Sequence, residues 1–260
     1  MTIEIEIEVV LDYQIGEACD VLLQVEVAQM ADQRIVGDRL TVTSPEPLRP
    51  VPGLDGIGQR SWARGQGVFL TNYSAIVAVD RPAVDLAALV EIPARRLPGE
   101  AVPYLLPSRY VEADRFETFV GSRFGHLAGG PKLVAMLDWF GGEVAYVIGS
   151  SDGDTGAAQT FVKRQGVCRD YAHLFAAFAR AAHIPARVAS VYAPNVVPSD
   201  FHAVVELFLS DAWHLVDPTG MADPQEMVRI GVGRDATDIA FMTVLGSAQL
   251  MDQRVEVKCA

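Results

Sequence analysis

The chain has 260 residues, half of them hydrophobic, and a formal net charge of −12. This length is sufficient for a sizeable core and for two domains. The acidic balance argues against nucleic acid and anionic membrane surfaces as partners, because both are bound by basic surfaces. No apolar run approaches the roughly 18 residues that a membrane-spanning helix needs.

Three cysteines, Cys19, Cys168 and Cys259, lie far apart and are odd in number. This usage argues against a disulfide framework and is typical of a reducing compartment. The first residues alternate between apolar and acidic types and lack the basic and apolar regions of a secretory signal. We therefore expect a cytoplasmic protein with unpaired thiols.

Residues 1–103 have the pattern of an antiparallel β domain. Short runs of alternating or β-branched residues are separated by proline-rich turns, which favours a small sandwich or barrel. The predicted strands cover residues 3–10, 21–27, 39–43, 67–73, 74–79 and 86–92.

A Pro/Gly-rich linker at residues 98–103 separates this part from a second unit, residues 104–260, in which helices and strands alternate. The sequence as a whole therefore predicts an α+β protein. Helices are predicted at residues 122–126, 132–141, 155–163 and 168–183, strands at 187–192, 203–209 and 213–216, and possible edge strands at 227–232 and 255–259.

Cys168 begins the longest predicted helix. On a helical wheel it shares a face with Ala172, Phe175 and Ala179, which is the side that packs on the rest of the domain. The unpaired N–H groups and the dipole at a helix start favour a thiolate and can bind an oxyanion. The alternative is a structural buried cysteine, the commoner fate of this residue type.

The predicted hairpin at residues 201–217 helps to distinguish a catalytic Cys168 from a structural one, because a catalytic thiol needs a histidine and an acid that lie together. If Ser210 and Asp211 form a two-residue turn, Leu209 lies opposite Ala212 and Phe208 opposite Trp213. His202 then lies on the same face as Asp217, with roughly 7–8 Å between their α-carbons. A turn with an odd number of residues would place the two side chains on opposite faces.

These three residues predict an acyl-transfer site. Cys168 would be the nucleophile, and His202 the base that takes its proton and later returns one to the leaving group. Asp217 would fix the tautomer of the imidazole and stabilise its charged form.

Three segments, RQGVCRDYAHLFAAFARAAHIPARVAS, DFHAVVE and WHLVDPTG, resemble the bacterial transglutaminase-like superfamily of cysteine peptidases. The resemblance extends to residues 104–116 and 228–246, and residues 1–103 resemble the N-terminal domain found in many bacterial members. It implies a papain-like core in which a central helix packs on an antiparallel sheet, with Cys168, His202 and Asp217 as the catalytic triad. Val204 stands where the family usually has tryptophan, which affects the expected substrate preference more than the triad.

The family's oxyanion helper has no single counterpart in this sequence. The candidates are Gln159, Gln165 and Trp139, each of which is also an ordinary surface or core residue. Asp235 is a candidate helix cap or loop contact near the site on the resemblance alone.

No cofactor or metal is predicted. Cys168 and His173 lie about 140° apart on their helix and cannot share one ion, so His173 is interpreted as a solvated residue of a polar stripe. The predicted function is a cysteine peptidase or amidase, or a transglutaminase-like acyltransferase, acting on a protein or peptide substrate through a thioester on Cys168. The alternative is a non-catalytic peptide-binding or assembly module with the same fold.

Overall fold

The computed structural model describes residues 2–260, which contain two main antiparallel sheets, one short parallel ribbon and five α-helices. The strands are β1 (Ile3–Leu23), β2 (Gln33–Val42), β3 (Arg49–Pro52), β4 (Gln59–Val79), β5 (Ala145–Tyr146), β6 (Gln165–Gly166), β7 (Ala186–Tyr192), β8 (His202–Leu209), β9 (Ala212–Val216), β10 (Val228–Gly233), β11 (Met242–Val244) and β12 (Ala248–Cys259). The helices are α1 (Glu117–Phe124), α2 (Gly129–Glu143), α3 (Ala157–Lys163), α4 (Cys168–Ala181) and α5 (Ala236–Ile239).

The first sheet is built on β1 and β4, which are 21 residues long each and pair along most of their length. Its strand order is β11-β1-β4-β2, with β12 also on β1 and β3 also on β4. The predicted sandwich or barrel is therefore wrong, since within residues 2–260 these strands form one open sheet. The predicted strand at 3–10 lies within β1 and that at 21–27 overlaps its end, and those at 67–73 and 74–79 are both parts of β4. In β1, the register shift between Ile15 and Cys19 interrupts the alternation without ending the strand.

The predicted strand at residues 86–92 is also wrong. The structure has a 3₁₀ turn at Leu86–Ala88, and the side chain of Asp85 accepts a hydrogen bond from the backbone N–H of Ala87. This local cap competes with an extended conformation, which is the usual effect of aspartate before a turn.

The second sheet has the order β10-β7-β8-β9 and packs against α4. Residues Asp170 to Arg180 of α4 are all buried, so this helix is the centre of the second core. The predicted α+β class is confirmed. The predicted helices at 132–141, 155–163 and 168–183 correspond to α2–α4 with small differences at their ends, whereas the one predicted at 122–126 overlaps α1 only at residues 122–124.

The two sheets share a hydrophobic cluster. Ile5, Ile7 and Val9 of β1 alternate with exposed glutamates, and their buried side chains belong to the same cluster as Val228 and Ile230 of β10. The acidic–apolar alternation at the chain start therefore matches a strand with one face in water and the other against the second sheet.

The end of the chain returns to the first sheet. β11 and β12 pair antiparallel with β1, and β10 joins the edge of the second sheet. The predicted edge strands at residues 227–232 and 255–259 are thus confirmed, whereas the domain boundary at residues 103/104 stays a prediction. Within residues 2–260, no helix is both long enough and apolar enough to cross a bilayer.

Candidate active site

Cys168 is the first residue of α4, and the motif around it holds this helix start in place. The Asp170 carboxylate accepts a hydrogen bond from the N–H of Val167 at 2.8 Å, and Arg169 lies 3.6 Å from its other oxygen. A Cβ on Gly166 would lie 2.6 Å from the Cβ of Asp170. The glycine and the aspartate of GVCRD therefore fit together, and Cys168, which lies between them in the sequence, is half-buried.

The hairpin β8–β9 has the predicted register. Phe208 lies opposite Trp213 and Leu209 opposite Ala212, and the two turn residues have φ values of 48° and 61°. Such left-handed values at both positions are characteristic of a type I′ turn. This register brings Nε2 of His202 to 2.9 Å from Oδ2 of Asp217.

The Asp217 carboxylate is surrounded by donors. It accepts hydrogen bonds from the N–H and hydroxyl of Thr219 and from the N–H groups of Met221 and Ala222, all at 2.7–3.1 Å. Burial by itself would raise the pKa of Asp217, but the bonds from His202 and Thr219 outweigh it and lower that pKa. Asp217 is thus a fixed negative charge beside the imidazole.

His202 is buried and carries an unusually stable proton. Burial favours the neutral ring, but Asp217 and Cys168 together raise the pKa of His202 to about 9. Its Nδ1 atom is buried without a hydrogen bond of ordinary geometry, although the thiol lies close enough to act on the ring. Because Asp217 occupies Nε2, Nδ1 is the nitrogen available to the thiol.

Tyr146 is a site residue that the sequence analysis missed. It lies in the parallel ribbon β5–β6, directly opposite Gly166, and its ring packs against Tyr171 at 5.9 Å between centroids. Burial raises the pKa of Tyr146 to about 12; the Cys168 thiol adds to this rise, and the backbone N–H of Cys168 opposes it. The only sequence signal is the short apolar run at residues 144–148, because the pairing partner lies twenty residues further along the chain.

The three predicted oxyanion candidates have other contacts. Gln159 accepts a hydrogen bond from the N–H of Gly156, and Gln165 is exposed. Trp139 packs among aromatic rings and beneath the guanidinium of Arg164 at 4.6 Å. Their role as oxyanion helpers stays a prediction that these contacts do not support, and Tyr146 is the side chain beside the thiol.

The segment before His202 is held by the C-terminal part of the chain. The Ser199 hydroxyl donates to the carbonyl of Val255, and Gln253 donates to the Asp200 carboxylate, both at 2.5 Å. Phe201 stacks on Phe241 with 4.4 Å between ring centroids and 2° between ring planes. Strand β12 and its neighbourhood therefore position the residue next to the imidazole.

His173 is fully buried, so its interpretation as a solvated residue is wrong. Its Nε2 accepts a hydrogen bond from the N–H of Ala236, and its ring stacks on Tyr110 at 5.2 Å. Burial lowers the pKa of His173 to about 3. His173 faces residues 235–237 instead of water, and Asp235 there caps α5 by accepting a hydrogen bond from the N–H of Thr237. The Arg169 side chain of the same stripe stays partly exposed. Among residues 2–260, no three metal-ligating side chains are grouped so that they could hold an ion.

Comparison with known proteins agrees with this architecture. The family model for the transglutaminase-like superfamily matches residues 125–218. A candidate cysteine protease from Cytophaga hutchinsonii has 30% sequence identity and a TM-score of 0.94, over 100% of this chain and 91% of that one. The periplasmic domain of TgpA from Pseudomonas aeruginosa, bound to ethylmercury, is 22% identical over 82% of this chain and 77% of that one, with a TM-score of 0.46.

An uncharacterised protein of Mycobacterium leprae is 27% identical over 146 residues, which is 52% of each chain. The chain thus spans about half the length of this curated relative. The match of the whole chain to 91% of the Cytophaga hutchinsonii structure, together with the family model over the site, gives the assignment: the chain belongs to the transglutaminase-like superfamily.

Proposed function

We propose that the protein is a thiol-dependent amide hydrolase or acyltransferase that acts on peptide or isopeptide bonds through a thioester on Cys168. One observation carries this proposal: Asp217 holds His202 by Nε2 at 2.9 Å, which leaves Nδ1 for a thiol at a helix start. A nucleophile, a base and a group that orients the base are the minimum set for covalent acyl transfer.

In the proposed reaction, His202 already holds the thiol proton on Nδ1, as its raised pKa favours, and the Cys168 thiolate attacks the carbonyl carbon. The negative charge that develops on the carbonyl oxygen is stabilised by the N–H of Cys168, which has no partner within the helix, and by the Tyr146 hydroxyl. The imidazolium then returns its proton to the departing amine as the C–N bond breaks, and a thioester remains.

The second half of the reaction repeats these steps with another acceptor. Water attacks the thioester in a hydrolase, and an amine attacks it in a transglutaminase; either gives up a proton to His202, and the thiol is regenerated. We favour hydrolysis, since no extended amine-binding motif is present in the sequence. We also propose a cytoplasmic location, since the three cysteines are unpaired and a free thiol is required.

Selective alkylation tests the proposal. Cys19 is buried, Cys168 half-buried and Cys259 exposed, so exposure alone predicts that iodoacetamide modifies Cys259 first. If the site is active, peptide mapping by mass spectrometry near neutral pH will find Cys168 modified first, and His202→Ala will abolish that order. Modification in the order of exposure would contradict the proposal and favour the non-catalytic module.

Product analysis separates the two reaction types. Release of peptide fragments from casein identifies a hydrolase, and incorporation of a fluorescent amine into casein identifies a transferase. Cys168→Ala is the control for both, and activity retained in that variant would refute the assignment of the nucleophile.

A further inference from the structure

Strand β5 leaves one of its edges without a partner beside the site. The N–H groups of Ala145 and Val147 donate to the carbonyls of Arg164 and Gly166 at 2.9 and 3.0 Å, so both residues are turned toward β6. Alternate residues of a strand direct their main-chain groups to opposite edges. The N–H and C=O of Tyr146 therefore point away from β6, and no strand within residues 2–260 pairs with this free edge. Unpaired groups of this kind can bind another extended chain.

The free edge is fixed next to the thiol by contacts with the first turn of α4. Tyr171, three residues after Cys168, donates its hydroxyl to the carbonyl of Val144 at 2.6 Å, and its ring packs on that of Tyr146. Tyr146 is also in register with Gly166, two residues before Cys168. Paired strands are about 4.8 Å apart and a chain advances about 3.6 Å per residue, so the α-carbons of Tyr146 and Cys168 are at most about 12 Å apart. About four residues of an extended peptide span that distance.

The residue that follows this edge, Ile148, presents an apolar side chain to water and is 70% exposed. It lies in a turn in which the N–H and the hydroxyl of Ser150 both donate to the carbonyl of Val147, at 3.3 and 2.6 Å. Gly149 has a φ of 78°, the left-handed value that a type II turn requires at its third residue. The Lys163 ammonium donates to the carbonyl of Ser150. The turn is therefore braced, and Ile148 is held where a second molecule can cover it favourably.

The molecule that fits this edge is the one that the thiol attacks, because the edge continues directly into the site. An unpaired N–H and C=O on one residue match the main chain of an extended polypeptide, as in complexes where a peptide adds a strand to a sheet. In such complexes the main chain supplies affinity, and alternate side chains supply specificity. An amide at the end of a long side chain, as in an isopeptide bond, offers no comparable row of donors and acceptors.

We propose that Cys168 acts on extended polypeptide segments, which pair with the free edge of β5 through the main chain of Tyr146 and place an apolar side chain against Ile148. This inference rests on the proposed function, because it names the substrate class of the same site. It concerns how the substrate is held, so it applies whether water or an amine accepts the acyl group.

Unfolded casein is the first probe. Mass spectrometry maps the positions at which casein is cut or takes up a fluorescent amine. In the wild type, these positions should share an apolar residue within about four residues of the reacting bond, always on the same side. Ile148→Asp should abolish this preference and lower kcat/KM about 10-fold, mainly through KM, on a peptide copied from the best site.

Two further variants are the controls for Ile148→Asp. Ile148→Leu keeps an apolar side chain and should retain the preference. Leu245→Asp alters a similarly exposed side chain in the bend after β11, and it should behave as the wild type. The melting temperature of Ile148→Asp should stay near the wild-type value, because the side chain that it replaces lies in water.

The second probe tests the main-chain pairing on the unchanged protein. Copies of the best peptide each carry one N-methyl group, at successive residues on the side of the apolar residue. Only alternate residues of a paired strand direct their N–H groups to the partner. N-methylation should therefore lower kcat/KM by at least about 5-fold at every second residue and much less at the residues between them.

Reacting positions without a common apolar residue, or a preference that Ile148→Asp leaves unchanged, would overturn the inference. So would equal losses at all N-methylated positions, or an isopeptide-linked copy of the peptide that reacts as fast as the main-chain one. If Ile148→Asp lowers the melting temperature, the N-methylated peptides decide the question, since they leave the protein intact.

Failure of the inference and failure of the proposed function give different results. If casein does not react although Cys168 is still the first thiol that iodoacetamide modifies, the inference is overturned and the proposed function stands. If Cys168→Ala reacts with casein equally well, or if alkylation follows exposure, the proposed function itself fails and the inference fails with it.

Discussion

At the scale of single residues, the Asp217 carboxylate has two separable properties, its charge and its hydrogen bonds. Asp217→Asn preserves the shape and several of the bonds but donates an amide N–H toward Nε2 of His202, which forces the proton onto Nδ1. A ring protonated at Nδ1 cannot accept the thiol proton there. We expect kcat/KM to fall by roughly 10³- to 10⁴-fold, measured on an activated ester.

The melting temperature of Asp217→Asn separates chemistry from folding. The melting temperature should stay near the wild-type value although the rate falls by orders of magnitude. Thr219→Ala, which removes only the hydroxyl that bonds Asp217, should keep most of the activity. An unchanged rate in Asp217→Asn would mean that Asp217 only caps the strand end.

The two buried histidines respond to pH in opposite directions. The pKa of His173 is lowered to about 3 in the folded protein, against about 6.5 in the unfolded chain. The stability that His173 contributes is therefore complete above pH 6.5 and is lost as the pH falls toward 3. The pKa of His202 is raised to about 9, so its contribution is complete below about 6.5 and is lost as the pH rises through 9.

Denaturant titrations between pH 4 and pH 10 measure both effects. His173→Gln should be less sensitive to acid than the wild type, because glutamine accepts the Ala236 N–H without a proton of its own to gain. The difference in unfolding free energy between wild type and His202→Gln should shrink as the pH rises through 9. Parallel curves in either comparison would contradict the assigned protonation states.

At the scale of elements, the catalytic geometry depends on strands that are distant in sequence. Phe201, next to His202, stacks flat on Phe241 just before β11, and β12 holds Ser199 and Asp200. Because Phe201 shares a peptide bond with His202, movement of its ring changes the position of the imidazole. Misplacement of a catalytic group by about 1 Å is sufficient to cost a factor of 10² in rate.

Phe241→Leu should therefore lower kcat about 10-fold or more, with a smaller effect on KM. The unfolding free energy should change by less than about 1.5 kcal/mol, because the substitution keeps most of the apolar volume. Phe241→Tyr, which keeps the stacked ring, is the matched control and should retain the wild-type rate. A loss of stability without a loss of kcat would show that the stack has no positioning role.

At the scale of the whole molecule, a buried ion cluster joins the two sheets. Glu206 of β8 lies 2.7 Å from Arg187 and 2.8 Å from Arg229, and these arginines reach Asp55 and Asp32 of the first hundred residues. Glu206 and the two arginines are nearly inaccessible to water, whereas Asp55 and Asp32 are partly exposed. Removal of the Glu206 charge therefore leaves two buried arginines with only a partly exposed carboxylate each.

Glu206→Gln should lower the unfolding free energy by about 3–5 kcal/mol, the usual cost of breaking a buried ion pair on one side. Asp20→Asn, which breaks the exposed pair of Asp20 and Arg64, should cost less than about 1 kcal/mol. Thermal and denaturant unfolding of the two variants provide the comparison. Equal effects would mean that water reaches Glu206 in solution.

The sequence by itself determined the features that depend on neighbouring residues. The helix that begins at Cys168, the hairpin register that pairs Phe208 with Trp213, and the contact of His202 with Asp217 all follow from periodicity and turn length over a few residues. The acidic–apolar alternation of residues 3–9 likewise predicted a strand with one buried face.

Only the tertiary structure decided which residues from distant parts of the chain surround that pair. Tyr146 reaches the thiol through a two-residue ribbon, Asp200 is held by the last strand, and His173 is buried because residues 235–237 cover its helix. Such contacts carry no local signal, because a side chain's burial and charge state depend on what packs over it, and periodicity within one element does not record the identity of that neighbour.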